Sequence, residues 1–194
     1  LSRPAKLTFL ETPSNPMLDI IDLKAVAEMS HRAGAMLVVD NVFATPVFQR
    51  PLEFGADVVT YSTTKHIDGQ GRSLGGAVLG SQEFVTEKLL PFLRHTGPAL
   101  SPFNAWIALK GLETLELRVR AAAESAARVA DFLAAHPKVA QTIYPGRTDC
   151  AGHDLAKRQM SGFGTLTTFR LKGGKAACFK ALNALQTIRI SNNL

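Results

Sequence analysis

Ala56-Asp57-Val58-Val59-Thr60-Tyr61-Ser62-Thr63-Thr64-Lys65 runs from an apolar, β-branched segment directly into three hydroxyls and a lysine. Such a run predicts a buried strand that delivers Lys65 to the loop beyond it. An earlier run, Met36-Leu37-Val38-Val39-Asp40, repeats the pattern with a carboxylate at its end. Near-continuous apolar strands predict a largely parallel sheet covered on both faces. Open α/β sheets place ligands beyond the carboxyl ends of their strands, which is where Lys65 and Asp40 would stand.

Upstream, Lys6 to Leu10 predicts another short strand, followed by Glu11-Thr12-Pro13-Ser14-Asn15-Pro16. Two prolines forbid a helix there and fix a rigid loop, in which Glu11 and Asn15 can reach a ligand. Asp22 is placed to cap a helix with Leu23, Val26, Ala27, Ser30 and Ala33 on one face and Gly34 as its stop. Downstream, Gly75 to Gly80 predicts a strand. Pro102 to Ala135 reads as helical, with Gly111 as a point of bending or division. Strands over Val139–Tyr144 and Gly164–Leu171, a helix near Lys175–Leu185 and a last strand near Thr187–Ile190 complete the pattern. His95 to Pro98 reads as a turn. The expected architecture is α/β with a mostly parallel sheet over residues 1–117, followed by a smaller α+β unit over 118–194. Leu1 leads almost directly into a strand and Leu194 follows Ser191-Asn192-Asn193, so a piece of a longer polypeptide is expected.

The 194 residues are 46% hydrophobic and 20% charged, the composition of an ordinary globular protein. No apolar run approaches the roughly 20 residues that span a bilayer, and no export signal opens the chain, so a cytoplasmic location is expected. A net charge of +6 raises nucleic acid as a ligand. The cations are dispersed among Glu and Asp without interleaved aromatics, which argues against it. Two cysteines make neither a disulfide framework nor a zinc site, and the histidines lack ligand spacing, so no metal is expected.

An amine, two hydroxyls and a carboxylate are the groups that hold pyridoxal 5′-phosphate (PLP). The aldehyde takes an amine, the phosphate takes donors such as Ser62 and Thr64, and the ring nitrogen takes a carboxylate such as Asp40. Lysine attacks an aldehyde as the free amine, and the apolar strand before Lys65 and the cation of Arg72 both favour that form. Asn41 either steers Asp40 or serves the turn. A dinucleotide fold is disfavoured, because no glycine-rich phosphate turn follows the first strand.

Three ordered motifs, Glu11-Thr12-Pro13-Ser14-Asn15-Pro16, Val39-Asp40-Asn41 and Tyr61-Ser62-Thr63-Thr64-Lys65, resemble the trans-sulfuration (Cys/Met metabolism) family of PLP enzymes. The likeness continues through Ser101-Pro102-Phe103-Asn104-Ala105-Trp106 and Gly111-Leu112-Glu113-Thr114-Leu115, so it covers essentially the whole chain. It implies a fold-type I, aspartate-aminotransferase-like fold. Lys65 would then bond the cofactor's aldehyde, Asp40 pair with the ring nitrogen, Ser62 and Thr64 bind phosphate, and Asn15 lie near the phenolic oxygen. Lys65-His66-Ile67-Asp68-Gly69-Gln70-Gly71-Arg72 is similar to the branch that replaces succinate with sulfide on O-succinylhomoserine, a transfer step of methionine biosynthesis. Other branches, the cystathionine synthases and γ-lyases, usually carry Tyr after the lysine and Gly-His-Ser-Asp where this chain has Gly69-Gln70-Gly71-Arg72. Arg72 becomes a candidate for the succinyl carboxylate or for a structural ion pair, and Asn193 stands near the family's substrate-side serine. The likeness also implies a homo-oligomer, a dimer of dimers. It further implies that cofactor and substrate contacts lie in segments this sequence lacks, so a non-catalytic fragment is the remaining alternative.

Overall fold

The computed structural model describes residues 4–191. Strand β1 (Leu7–Glu11), helix α1 (Leu23–Arg32) and strand β2 (Met36–Asp40) form a parallel unit. The Asp22 carboxylate accepts the Ala25 N–H at 2.9 Å, and Gly34 leaves the helix at φ +71°. Both are the predicted ends of α1. After α2 (Thr45–Phe48) and a 3₁₀ turn (Pro51–Phe54) comes β3 (Val58–Ser62), parallel to β2, and then β4 (Gly76–Gly80), antiparallel to β3. The sheet order is β1-β2-β3-β4.

The sheet is covered unequally. Leu37, Val39, Val59 and Tyr61 face a core with Leu23 and Ala27 of α1, Phe48 of α2 and residues of two later helices. Each large side chain fully buried there contributes roughly 1.5–3 kcal/mol. On the opposite face Val38 and Val58 are buried, but Leu7, Phe9 and Val78 on the flanking strands are 51%, 60% and 41% exposed. The expectation of two covered faces therefore holds for the central strands and not for the edges.

Beyond β4, α3 (Gln82–Phe84), a wider turn (Val85–Leu89) and α4 (Leu90–Thr96) make a helical stretch. His95 and Thr96 are its last turn rather than a loop, and Gly97 closes it at φ +82°. The long helical segment divides into α5 (Pro102–Glu113) and α6 (Leu115–Ala135), with the break at Thr114 rather than at Gly111. Gly111 is buried and helical. Its backbone lies so close to the Ile67 carbonyl that a Cβ would overlap the carbonyl oxygen and stand 3.1 Å from the carbon. Close approach, not bending, is what requires glycine there. Leu115 and Val119 of α6 complete the main core.

The remainder is β5 (Val139–Ile143), α7 (His153–Gln159), β6 (Thr168–Leu171) and α8 (Gly174–Asn183). β5 and β6 pair antiparallel as a separate two-stranded sheet. Residues 187–190 form no strand: Ile188 and Ile190 are 68% and 66% exposed, and among the described residues no strand offers them a ladder. A strand's hydrogen bonds come from its neighbour, so β-branched sequence alone does not make one. No helix among the described residues is long and apolar enough to cross a membrane.

Candidate active site

The parallel pairing sets Glu11 opposite Asp40 and Asp40 opposite Thr60, with Ser62 two residues farther along β3. With a side-chain period of two, Glu11, Asp40, Thr60 and Ser62 share one face at the carboxyl end of the sheet. Lys65 follows in the turn Thr63–Ile67, where its backbone (φ −85°, ψ −118°) departs from the helical values around it. The predicted lysine and carboxylate thus stand at neighbouring strand ends.

Each polar group there is held differently. Asp40 Oδ1 accepts the Val42 N–H at 3.0 Å, while Oδ2 accepts nothing among the described residues. Thr64 Oγ1 accepts the Gly75 N–H at 3.1 Å and lies 3.4 Å from the Gly75 carbonyl, so its hydrogen is only weakly engaged. Ser62 makes no side-chain hydrogen bond among the described residues. Asn15 is exposed and gives its backbone N–H to Glu11 Oε2 at 3.0 Å. Asn193 lies outside the described residues.

Asn41 does not touch the Asp40 carboxylate. It is fully buried, with Nδ2 2.8 Å from both the Tyr61 hydroxyl and the Gln49 carbonyl, and Oδ1 accepting from Gln49 Nε2 at 2.8 Å. Gln49 Oε1 in turn accepts from Gln159 Nε2 at 2.9 Å, and Gln159 Oε1 accepts the Leu23 N–H at 2.9 Å. This buried amide chain joins α1, β2, β3 and α7. Sequence reading missed it, because its members are separated by up to 118 positions and carry no local signal. Burial raises the Tyr61 pKa, the Asn41 bond opposes the rise, and the Asp40 charge adds to it.

Arg72 is committed to Asp68. Its Nε lies 2.7 Å from Asp68 Oδ1 and its Nη2 3.1 Å from the Asp68 carbonyl, while the Arg72 and Ser73 N–H groups bond Oδ2. Asp68 is completely buried. Burial works to raise its pKa, but the Arg72 side-chain and backbone bonds and the Ser73 N–H outweigh it and leave the carboxylate more acidic than usual. The Arg72 side chain keeps 39% of its surface exposed. With Nε and Nη2 on Asp68, Nη1 makes no hydrogen bond among the described residues.

His66 Nε2 lies 2.7 Å from Thr165 Oγ1, which ties the lysine turn to the loop before β6. Its Nδ1 is buried without a hydrogen bond of ordinary geometry. Burial lowers the His66 pKa most, and the Arg118 and Lys65 charges lower it further against an opposing Val42 backbone contribution. Arg118, which sequence reading did not single out, gives Nη1 to the His66 carbonyl at 2.8 Å and Nη2 to those of Ile67 and Gly111 at 3.1 and 2.7 Å. A cavity of about 430 Å³ opens here, lined by Thr64, Lys65, His66, Gln70, Arg118 and Val119 among others. Two larger clefts, about 580 and 630 Å³, lie beside β5 and between α2 and α7, and neither includes Lys65 or Asp40.

The donor set fits PLP: a lysine, a carboxylate with one free oxygen, and two hydroxyls with donating capacity left. The family model described as "Cys/Met metabolism PLP-dependent enzyme" matches residues 1–194. The O-succinylhomoserine sulfhydrylase of Mycobacterium tuberculosis is 52% identical across 100% of this chain and 49% of its own length. That of Pseudomonas aeruginosa is 48% identical across 97% and 47%. A cystathionine gamma synthase from Xanthomonas oryzae pv. oryzae, solved in complex with aminoacrylate and cysteine, superposes with a TM-score of 0.94 at 42% identity, covering 97% of this chain and 49% of that one. The expected α/β fold is the one these enzymes have, and the chain spans about half the length of the curated relatives it matches. The chain therefore belongs to the Cys/Met metabolism family of PLP-dependent enzymes.

Proposed function

We propose that the protein carries out γ-replacement on O-succinyl-L-homoserine with sulfide, giving L-homocysteine and succinate. The observation that carries this reading is the likeness to two O-succinylhomoserine sulfhydrylases at 52% and 48% identity along nearly the whole chain. It agrees with Gln70-Gly71-Arg72 beside the lysine turn. Lys65 would hold the cofactor at its aldehyde carbon, Asp40 Oδ2 would face the ring nitrogen, Ser62 and Thr64 would donate to phosphate, and Asn15 would approach the phenolic oxygen. When bound, PLP supplies an electron sink that acidifies the Cα–H of an attached amino acid.

The chain's own groups then manage protons and orientation. Lys65, freed when the substrate amine takes its place, accepts the Cα proton and moves a proton at Cβ. Arg72, anchored by Asp68, presents its remaining N–H donors to the succinyl carboxylate. Succinate leaves Cγ with its bonding electron pair and sulfide adds there, so one C–O bond breaks and one C–S bond forms. Cystathionine γ-synthesis is the second reading, favoured by the Xanthomonas oryzae synthase at 42% identity. It differs in using cysteine as the nucleophile.

The four-stranded sheet within residues 1–117 and the separate pair β5–β6 support a division into part of a large cofactor domain and part of a smaller C-terminal one, with α6 spanning the boundary. Phe92, Phe103, Trp106 and Leu109, each more than half exposed, support burial against more polypeptide or a second copy in a homo-oligomer. The test is the visible absorbance of the full-length protein with PLP, together with assays of sulfide and cysteine as nucleophiles. A chromophore lost in Lys65→Ala and homocysteine formed from the succinyl ester are expected. A chromophore that survives Lys65→Ala would overturn the assignment of the lysine, and turnover with cysteine alone would overturn the reaction.

A further inference from the structure

Arg118 stands on α6, 53 positions from Lys65, yet three of its four hydrogen bonds go to main-chain carbonyls at or against the lysine turn. Nη1 reaches His66 O at 2.8 Å, Nη2 reaches Ile67 O at 3.1 Å and Gly111 O at 2.7 Å, and Nε reaches Thr114 Oγ1 at 3.1 Å. Carbonyls at the end of a helical turn have no partner within it, and a guanidinium is the side chain that can serve several at once. The seat is shaped for it by two glycines. At Gly69, which has φ +68°, a Cβ would overlap the guanidinium and lie 2.7 Å from Arg118 Cζ. At Gly111 a Cβ would overlap the Ile67 carbonyl to which Arg118 donates. Without the guanidinium, the His66 and Ile67 carbonyls would each lose a charge-assisted bond in a half-buried setting. The turn would then keep the apolar packing of Ile67 against Leu115 and Val119 but no hydrogen bond to α6 among the described residues.

We propose that Arg118 is a positioning residue: it clamps the two residues after Lys65 to the α5–α6 junction and so sets where the Lys65 amine stands. The proposal rests on the reading of Lys65 as the cofactor lysine. The Lys65 amine itself makes no hydrogen bond among the described residues, so its placement depends on the backbone that carries it. All of the hydrogen bonds that Arg118 makes among the described residues go to the protein, so its loss should reach the chemistry through that backbone, and Arg118→Lys, which keeps the charge, separates this from the effect of the charge itself.

The test uses the full-length protein and its Arg118→Met, Arg118→Lys and Arg120→Met variants. Arg120 lies on the same helix and pairs with Glu116 at the surface, which makes it a control. Amide hydrogen exchange read by mass spectrometry on peptides covering residues 63–69 reports the turn without the cofactor. Exchange there should rise at least tenfold in Arg118→Met while β2 and α1 keep their protection, the effect of losing bonds worth about 1.4 kcal/mol or more. Arg118→Lys should recover part of it, since one ammonium cannot span three carbonyls, and Arg120→Met should match the parent. With PLP bound, the pH midpoint of the lysine-dependent chromophore should move in Arg118→Met and kcat should fall about tenfold with little change in KM. Unchanged exchange over 63–69 would overturn the clamp. Raised exchange with an unmoved chromophore midpoint and kcat would overturn its positioning of Lys65. A parent protein with no lysine-dependent chromophore would instead overturn the proposed function, and the positioning role would fall with it.

Discussion

Replacing Gly111 by alanine sets two effects against each other. Helix propensity favours alanine in a helix interior by about 1 kcal/mol. Against that, a Cβ at position 111 would overlap the Ile67 carbonyl oxygen, 3.1 Å from its carbon and 3.3 Å from Asp68 Cα. An ordinary carbon–oxygen contact is roughly 3.3 Å or more, so α5 and the lysine turn must separate. Overpacking of backbone against backbone costs about 1–3 kcal/mol. Separation also stretches the Arg118 bonds to the Gly111 and Ile67 carbonyls, and hydrogen bonds from a charged group contribute roughly 1.5–3 kcal/mol each. The steric and clamp effects together exceed the propensity gain, and Gly111→Ala should lose roughly 2 kcal/mol. The assay is urea unfolding of the full-length protein followed by far-UV circular dichroism, with the cofactor absorbance recorded in parallel. Stability equal to or above the parent's would mean that propensity alone governs the site and would refute the close-approach argument.

Other outcomes follow from the same geometry. Gln159→Leu strands the Leu23 N–H, the Ile21 carbonyl and Gln49 Oε1, and should cost about 3 kcal/mol in denaturant unfolding, where a loss under about 0.5 would show the amide chain to be dispensable. His66 has a folded pKa below its ordinary 6.5, so the unfolded chain takes up the proton first on acidification. Its contribution is full above 6.5 and is lost as pH falls through the lower folded value. Stability measured across that range should therefore decline less steeply in His66→Gln than in the parent, and parallel curves would count against a buried neutral imidazole. Arg72→Ala should raise KM for the succinyl ester about tenfold, and an unchanged KM would leave Arg72 only its Asp68 partnership.

The β1-α1-β2 unit was legible from the chain alone, because its signals are local: an apolar run, the Asp22 cap, the face from Leu23 to Ala33 and the Gly34 stop. Lys65 and Asp40 were legible for the same reason, each closing an apolar strand. Parallel pairing then decided which of the polar groups share a face, and that follows from register rather than from spacing. Asn41 shows the limit most clearly. A carboxamide beside Asp40 in sequence turns instead to Tyr61 and Gln49, because burial demands partners and those are the ones within reach. Arg118 lies on a helix whose sequence reads only as amphipathic. Thr187 to Ile190 carries strand-forming residues yet forms no strand, since a ladder needs a second edge. The sequence by itself determined the strands β1 to β5, helix α1 with its caps and the residue types available for chemistry, all set within a few neighbouring positions. Only the tertiary structure decided what holds the lysine turn in place, because hydrogen bonds between residues 51 to 99 positions apart form only once the sheet and helices have brought them together.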